Sequence, residues 1–331
     1  MLEQSRRRQR MAQFMTIVHY AMLLPTYLFF VPLLWGVNTL GYRPALWRRF
    51  GGMMRRGMGM EKAFVGYDPR PQDVFVCSYY KSGTNWTMQI AHQIATRGQG
   101  EYGHIHDVVP WPDSAPGFAI DIHDTTIQEA SPTGLRVVKT HLAWEHIPYS
   151  PQARYIAVVR NPKDAFVSSY HFTRDVMFGP MMSSVADFLE YFLMDEFIFE
   201  AWGHFLHSYW QQRHRPNVLF MTYEEMKQDL PGTVRRIADF MGIELSEAEF
   251  AQVCEKSSFA YMKASDHKFY PGRIMPWSSP NGKMIRQGKV GNSSELLTPE
   301  QQRRIEDHFR ARLQQMGSDF PYDEWLASHQ P

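Results

Sequence analysis

Lys81-Ser82-Gly83-Thr84-Asn85 lies between an apolar run, Asp73–Ser78, and a segment of helical character, Trp86–Thr96. A strand that turns into a helix through such a loop makes an anion site. The first helical N–H groups have no intrahelical partner, and the helix dipole adds positive potential there. Gly83 lets the backbone come close to a phosphate, Lys81 adds a point charge and Thr84 a hydroxyl. The order is not that of a Walker A loop, because GxxxxGK[ST] is absent and the lysine precedes the glycine. Taken alone, the loop is equally an ordinary turn. His141 follows another apolar run, Leu135–Lys139. A histidine with an ordinary pKa of about 6.5 can take a proton from a hydroxyl near neutral pH. On spacing alone a satisfied core or surface histidine is the better reading. Strand alternation puts Lys139 on the same side as His141. Arg160 offers a fork for a phosphate, and the plain alternative is an i,i+4 ion pair with Asp164.

Fourteen histidines invite a metal reading. His141 to His146 comes near the HxxEH spacing but has one residue too many, and His104-Ile105-His106-Asp107 reads as a loop cluster, solvated or lining a pocket. No metal site is expected.

Asp73–Ser78 reads as a strand buried on both faces, and Leu135–Lys139, Arg154–Val159 and Asn217–Met221 as three further strands. Helices follow at Trp86–Thr96 and Lys163–Thr173, and another is broken near Pro231. Ser246 to Glu249 and Thr298 to Gln301 are capping boxes, the second with proline at the first helical position. Strands alternating with helices predict an α/β fold with a parallel sheet flanked by helices, in one catalytic domain over 63–331. The proline-rich stretches 100–130 and 264–283 read as loops that shape a pocket.

The chain has 331 residues and a net charge of +1, unevenly placed. Residues 1–62 hold ten Lys/Arg against Glu3 and Glu61. A basic head on a mildly acidic body suggests an anionic surface as partner for the head, and no nucleic acid is expected. Residues 11–42 contain no Asp, Glu, Lys or Arg, and Phe14–Trp35 is apolar enough for a bilayer span of about 20 residues. Pro25 and Pro32 leave a kinked span, a re-entrant hairpin and an interfacial helix open, and packing on the catalytic domain is the soluble alternative. GGMMRRGMGM, 51–60, reads as a flexible juxtamembrane linker. Basic residues on both sides of the span, more of them after it, favour a membrane-associated protein with its catalytic domain in the cytoplasm, against a lumenal Golgi-type arrangement. Cys77 and Cys254 imply no disulfide framework.

Five segments together carry a resemblance. YYKSGTNW (79–86), VVKTHL (137–142), RNPKDAFVSSYHF (160–172), LFMTYEEMKQD (219–229) and MIRQGKVG (284–291) stand in that order. They resemble the 5′-phosphosulfate loop, catalytic-histidine segment, 3′-phosphate motif, tyrosine segment and C-terminal RKGxxG loop of the cytosolic-type sulfotransferases. The resemblance implies a P-loop-like sulfotransferase fold and transfer of a sulfuryl group from 3′-phosphoadenosine 5′-phosphosulfate (PAPS) to a hydroxyl or amine. It implies His141 as base, Lys81 on the bridging oxygen and Lys139 orienting the sulfuryl group or acceptor. Ser82, Gly83, Thr84 and Asn85 would hold the 5′ phosphate, and Arg160, Ser168, Arg286, Gln287 and Gly288 the 3′ phosphate. Trp86, Tyr223, Ser257 and Phe259 would hold the adenine end. Asn85 departs from the family's threonine and Gln287 from its lysine. At the family's dimer segment this chain has Ser294, Pro299 and Arg303, so no dimer is expected there. The acceptor is not legible; the apolar head suggests a lipophilic alcohol or phenol, or a lipid. The rivals are a P-loop kinase, for which Mg²⁺-binding carboxylates are not evident, and an inactive PAPS-binding scaffold.

Overall fold

The computed structural model describes residues 43–57, 60–179, 182–272, 279 and 282–328, with isolated positions between Arg10 and Gly36. Its centre is a four-stranded parallel sheet of β1 (Asp73–Ser78), β2 (Arg136–Thr140), β3 (Arg154–Val159) and β4 (Val218–Thr222), in the order β2-β1-β3-β4. The helices in chain order are α1 (Arg43–Gly57), α2 (Thr84–Ala95), α3 (Thr126–Ala130), α4 (Pro162–Phe172), α5 (Val185–Phe192) and α6 (Trp202–Trp210). After β4 come α7 (Tyr223–Gln228), α8 (Leu230–Met241), α9 (Glu247–Lys256), α10 (Phe259–Ala264), α11 (Pro299–Gln315) and α12 (Tyr322–Ser328).

Every residue of β1 and β2 is buried, as continuous apolar runs in a parallel sheet require. Two apolar clusters fill the faces: Phe75 stacks on Tyr155 at 5.0 Å on one, and Val74, Val76 and Val137 meet α2 and α8 on the other. Each such side chain contributes about 1.5–3 kcal/mol on burial. At the amino edge, Arg136 donates to Asp73 at 2.8 Å in a fully buried pair. Leaving either partner alone there costs about 3–5 kcal/mol.

From β1 the chain passes to β2 on one side and then to β3 on the other. That reversal opens a crevice at the carboxyl ends of β1 and β3, where ligands of open α/β sheets bind. Both capping boxes form, at Ser246 and Thr298.

Two readings of the head change. The stretch 51–60 is no flexible linker through its first seven residues: they are the C-terminal half of α1, which lies against α5. Gly51 is what permits this, since a Cβ there would stand 2.6 Å from Tyr191 Oη and 3.1 Å from the Glu196 carbonyl. The body therefore has an ordered partner before Ala63. The span expected at Phe14–Trp35 falls mostly outside the described residues; among those described, no helix is long and apolar enough to cross a membrane.

Candidate active site

The loop after β1 is tight. Ser82 N–H donates to the Tyr79 carbonyl at 3.1 Å, and this turn holds Lys81 at φ 62° and Gly83 at φ 93°. A left-handed lysine costs on the order of 1–3 kcal/mol, strain of the kind found at functional sites. Gly83 is required twice over, by its φ and because a Cβ would meet the Tyr223 ring at 2.7 Å. Side chains cap α4, α8, α9 and α11, but none caps α2, whose first-turn N–H groups face the loop. Ser78 Oγ donates to Thr84 Oγ1 at 2.6 Å and fixes that hydroxyl.

A cavity of about 510 Å³ opens above this loop. Every site residue expected from the sequence lies on its wall except Ser82 and Ser257. Those two are fully buried, and neither hydroxyl has a hydrogen-bond partner among the described residues. Lys81 Nζ sits 4.1 Å from the Phe172 ring centroid and 3.3 Å from Met284 Sδ. Burial, and next the Arg160 guanidinium, push its pKa down to about 7.

His141 is reached from β2. Its N–H donates to Asp113 Oδ2 at 2.9 Å, and its ring lies between Trp111 and Phe199, at centroid distances of 5.5 and 4.6 Å. Nδ1 is 2.7 Å from the Ser78 carbonyl, which can only accept, so Nδ1 carries the proton and Nε2 keeps its lone pair. Burial, then the charge of Lys139, hold the imidazole well below its ordinary pKa. Lys139 stands 3.2 Å over the Trp111 ring, its own pKa lowered to about 7 by burial with Asp113 opposing.

Arg160 lies 4.4 Å from the Tyr223 ring, donates to the Lys289 carbonyl at 2.7 Å and is 3.7 Å from Asp164. The ion pair with Asp164 therefore exists, yet Nε remains buried without a partner among the described residues. Arg286 pairs with Glu295 at 2.6 Å, and Gln287 accepts from Asn292 at 3.1 Å. Asp266 pins this loop through the N–H groups of Met284 and Ile285, at 3.3 and 2.6 Å. Gly288, at φ 60°, has Phe259 where a Cβ would be, 2.5 Å away. Trp86 meets Tyr223 edge-on at 5.7 Å and donates to the Ser257 carbonyl at 2.8 Å. Aromatic faces, uncapped N–H groups, orphaned hydroxyls and a free guanidinium nitrogen suit an anionic ligand that carries a flat ring.

The sulfotransferase domain model matches residues 71–317. The chain belongs to the sulfotransferase family. Sulfotransferase 2A1 of Rattus norvegicus is 30% identical over 249 residues, 74% of this chain and 85% of that protein. The structure of mouse sulfotransferase SULT7A1 complexed with PAP is 28% identical with a TM-score of 0.64, covering 84% of this chain and 95% of that one. A retinol dehydratase in a complex with retinol and PAP shares the fold, at 24% identity, TM-score 0.63, and coverage of 81% of this chain and 88% of that one. This sulfotransferase uses PAPS as co-substrate. Its orphaned Ser82 and Ser257 hydroxyls and the partnerless Arg160 Nε fit such a nucleotide. Among the described residues, no three His, Cys, Asp or Glu side chains gather as a metal ion needs.

The far end of the cavity was only partly foreseen. His106, Trp111, Phe118, Phe269 and Pro271 come from the two loops expected to shape it. Phe172 closes the 160–172 motif, while Met177, Ile198 and Phe199 come from a region that sequence reasoning passed over. Helix α4 does not end at its expected limit but runs on as a wider π turn, Thr173–Phe178, which carries Met177 to the wall. Asp113 was also missed; its signal, a lone acid in WPDSAP, is too common to stand out.

Proposed function

We propose that this sulfotransferase sulfates the hydroxyl of a small lipophilic alcohol or phenol, with His141 Nε2 as base. The observation that supports it is the Nδ1 contact to the Ser78 carbonyl, which leaves an unprotonated nitrogen in the same cavity as Lys81. The acceptor oxygen forms its bond to sulfur and yields its proton to Nε2. The bond from sulfur to the bridging phosphate oxygen breaks, and the bisphosphate leaves with the electron pair. Lys81 meets the charge that grows on that oxygen, a role worth most in a dry site. Lys139 faces the sulfuryl oxygens or the acceptor.

In this reading Ser82, Gly83, Thr84 and Asn85 hold the 5′ phosphate. Arg160, Ser168, Arg286, Gln287 and Gly288 hold the 3′ phosphate, and Trp86, Tyr223, Ser257 and Phe259 the adenine. The acceptor class is supported by Tyr80, Trp111 and Phe199, whose ring centroids lie 6.1, 5.5 and 4.6 Å from that of His141. Neutral His141 is the reactive form, and its folded pKa is depressed. The acid limb of kcat/KM for the acceptor therefore lies below pH 6.5.

The head gives the membrane reading its support. Phe14, Ile17, Leu24, Leu28, Phe29 and Leu33 are exposed, as are Arg49 and Arg56 of α1. Apolar side chains that do not pack on the body, followed by exposed arginines, suit an anionic bilayer with the catalytic domain on its cytoplasmic side. No pairing is assigned to the 294–303 segment, where Thr298 and Pro299 start α11 instead.

Incubation with sulfur-labelled PAPS and a panel of phenols, long-chain alcohols, amines and sugars tests the proposal. Label on the apolar phenols or alcohols is expected. Transfer confined to sugars overturns the acceptor class, and intact nucleotide binding with no transfer to any class overturns catalysis.

A further inference from the structure

Ile198 and Phe199 form the wall beside His141, with the Phe199 ring 4.6 Å from the imidazole and 4.7 Å from Tyr80. They belong to 193–201, a segment in neither helix nor strand. Such a segment keeps its shape only through what grips it. From the inside Phe197 packs on Tyr191 and Phe192, at 5.0 and 5.3 Å. The outside grip is α1. Its Gly51 lies against the Glu196 carbonyl, Arg48 pairs with Glu196 at 3.6 Å, and Arg55 reaches Glu200 at 3.7 Å. Ile198 and Phe199 lie between those two anchors.

The anchors differ in weight. Arg48 and Glu196 are both more than half exposed, and such pairs contribute little. The Glu200 side chain is only 9% exposed, and its Oε1, which makes no hydrogen bond among the described residues, lies 3.7 Å from Arg55 and 3.6 Å from His146. Removing the cation from a buried carboxylate costs far more than breaking a surface pair. All of α1 precedes residue 71, where the match to the sulfotransferase domain begins.

We propose that α1 is a positioning element of the acceptor site, with Gly51 and Arg55 holding Ile198 and Phe199 against His141 through Glu196 and Glu200. Residues of the head thus set how the acceptor fits while touching neither nucleotide nor acceptor. The proposal rests on reading the His141 end as the acceptor end.

The test compares Arg55→Ala, Arg55→Lys and Gly51→Val in the full chain, measuring acceptor KM, kcat and the Kd of the bisphosphate product. Arg55→Ala and Gly51→Val raise acceptor KM about fivefold or more with the nucleotide Kd unchanged, while Arg55→Lys restores most of the loss. Retained nucleotide binding shows that the body is folded. An unchanged acceptor KM in both variants overturns the proposal. So does a nucleotide Kd that weakens in step with KM, since α1 would then act on the whole body. Phe199→Ala separates the two readings: if it leaves acceptor KM unchanged, the acceptor-end assignment fails first.

Discussion

At the end proposed for the nucleotide the cavity wall is built on the carboxyl edge of the sheet, from the Lys81–Asn85 loop after β1 and Arg160 after β3, and closed by residues 284–289. At the end proposed for the acceptor the wall is largely aromatic, with Trp111, Phe118, Phe172, Phe199 and Phe269 brought together from segments outside the sheet. In the proposed reading the first end recognises fixed charges, so its donors must be held in place: the Lys81–Asn85 loop by its own turn, Arg160 directly after β3. The second excludes water and fits a shape, which rings from separate loops can do. Variants at the nucleotide end should therefore act on charge, and variants at the acceptor end on fit.

The largest effect expected at the nucleotide end is that of Lys81→Ala. Losing one preorganised cation from the departing oxygen should lower kcat by about 10²–10³-fold. Acceptor KM should stay within a factor of two. A variant that keeps more than a tenth of kcat would show that Lys81 does not meet that charge.

The pH dependence of nucleotide binding comes next. The free Lys81 ammonium loses its proton near pH 7 because burial depresses its pKa. A bound phosphate raises that pKa, so binding takes up a proton above pH 7 and affinity falls as pH rises, by up to tenfold per unit. Calorimetry of the bisphosphate product at pH 8, in two buffers of different ionisation heat, reads the uptake. Lys81→Arg should reduce it to the share taken up by Lys139, whose pKa is also lowered to about 7. Equal heats in both buffers for the wild type would refute the assignment.

Why one end was legible and the other was not follows from the same contrast. The runs Asp73–Ser78 and Arg154–Val159 match the observed strands because the interiors of strands buried on both faces are apolar. Leu135–Lys139 and Asn217–Met221 were each placed one residue early, since polar Thr140 and Thr222 end the observed strands. Lys81, Arg160 and Gly288 lie in contiguous motifs, whose spacing is set by local backbone geometry. Phe199 carries no such signal: its neighbour is His141, 58 positions earlier in sequence, and only the tertiary fold joins them. Helix α1 was hidden for another reason. Gly51 and Gly52 lower helix propensity, and it is the close packing on Tyr191 that stabilises the helix there.

The smallest effect expected is that of Gln287→Lys. Gln287 bonds only to Asn292 in the described structure, and Arg286 is shared with Glu295. A lysine at 287 should tighten the bisphosphate by about 1 kcal/mol, roughly fivefold, with a steeper salt dependence. Adenosine 5′-phosphosulfate, which lacks the 3′ phosphate, should bind as before. Equal gains for both nucleotides would mean that residue 287 does not sense the 3′ phosphate.

The account turns on His141, which stands where the two ends meet. Single-turnover transfer from labelled PAPS by His141→Ala, alongside calorimetry of the bisphosphate product, tests it most directly. The rate should fall by about 10²–10⁴-fold, as loss of a general base requires, with product affinity nearly unchanged. A variant that retains more than about a hundredth of the wild-type rate, or that loses the nucleotide along with the rate, would contradict the assignment of His141 as the base.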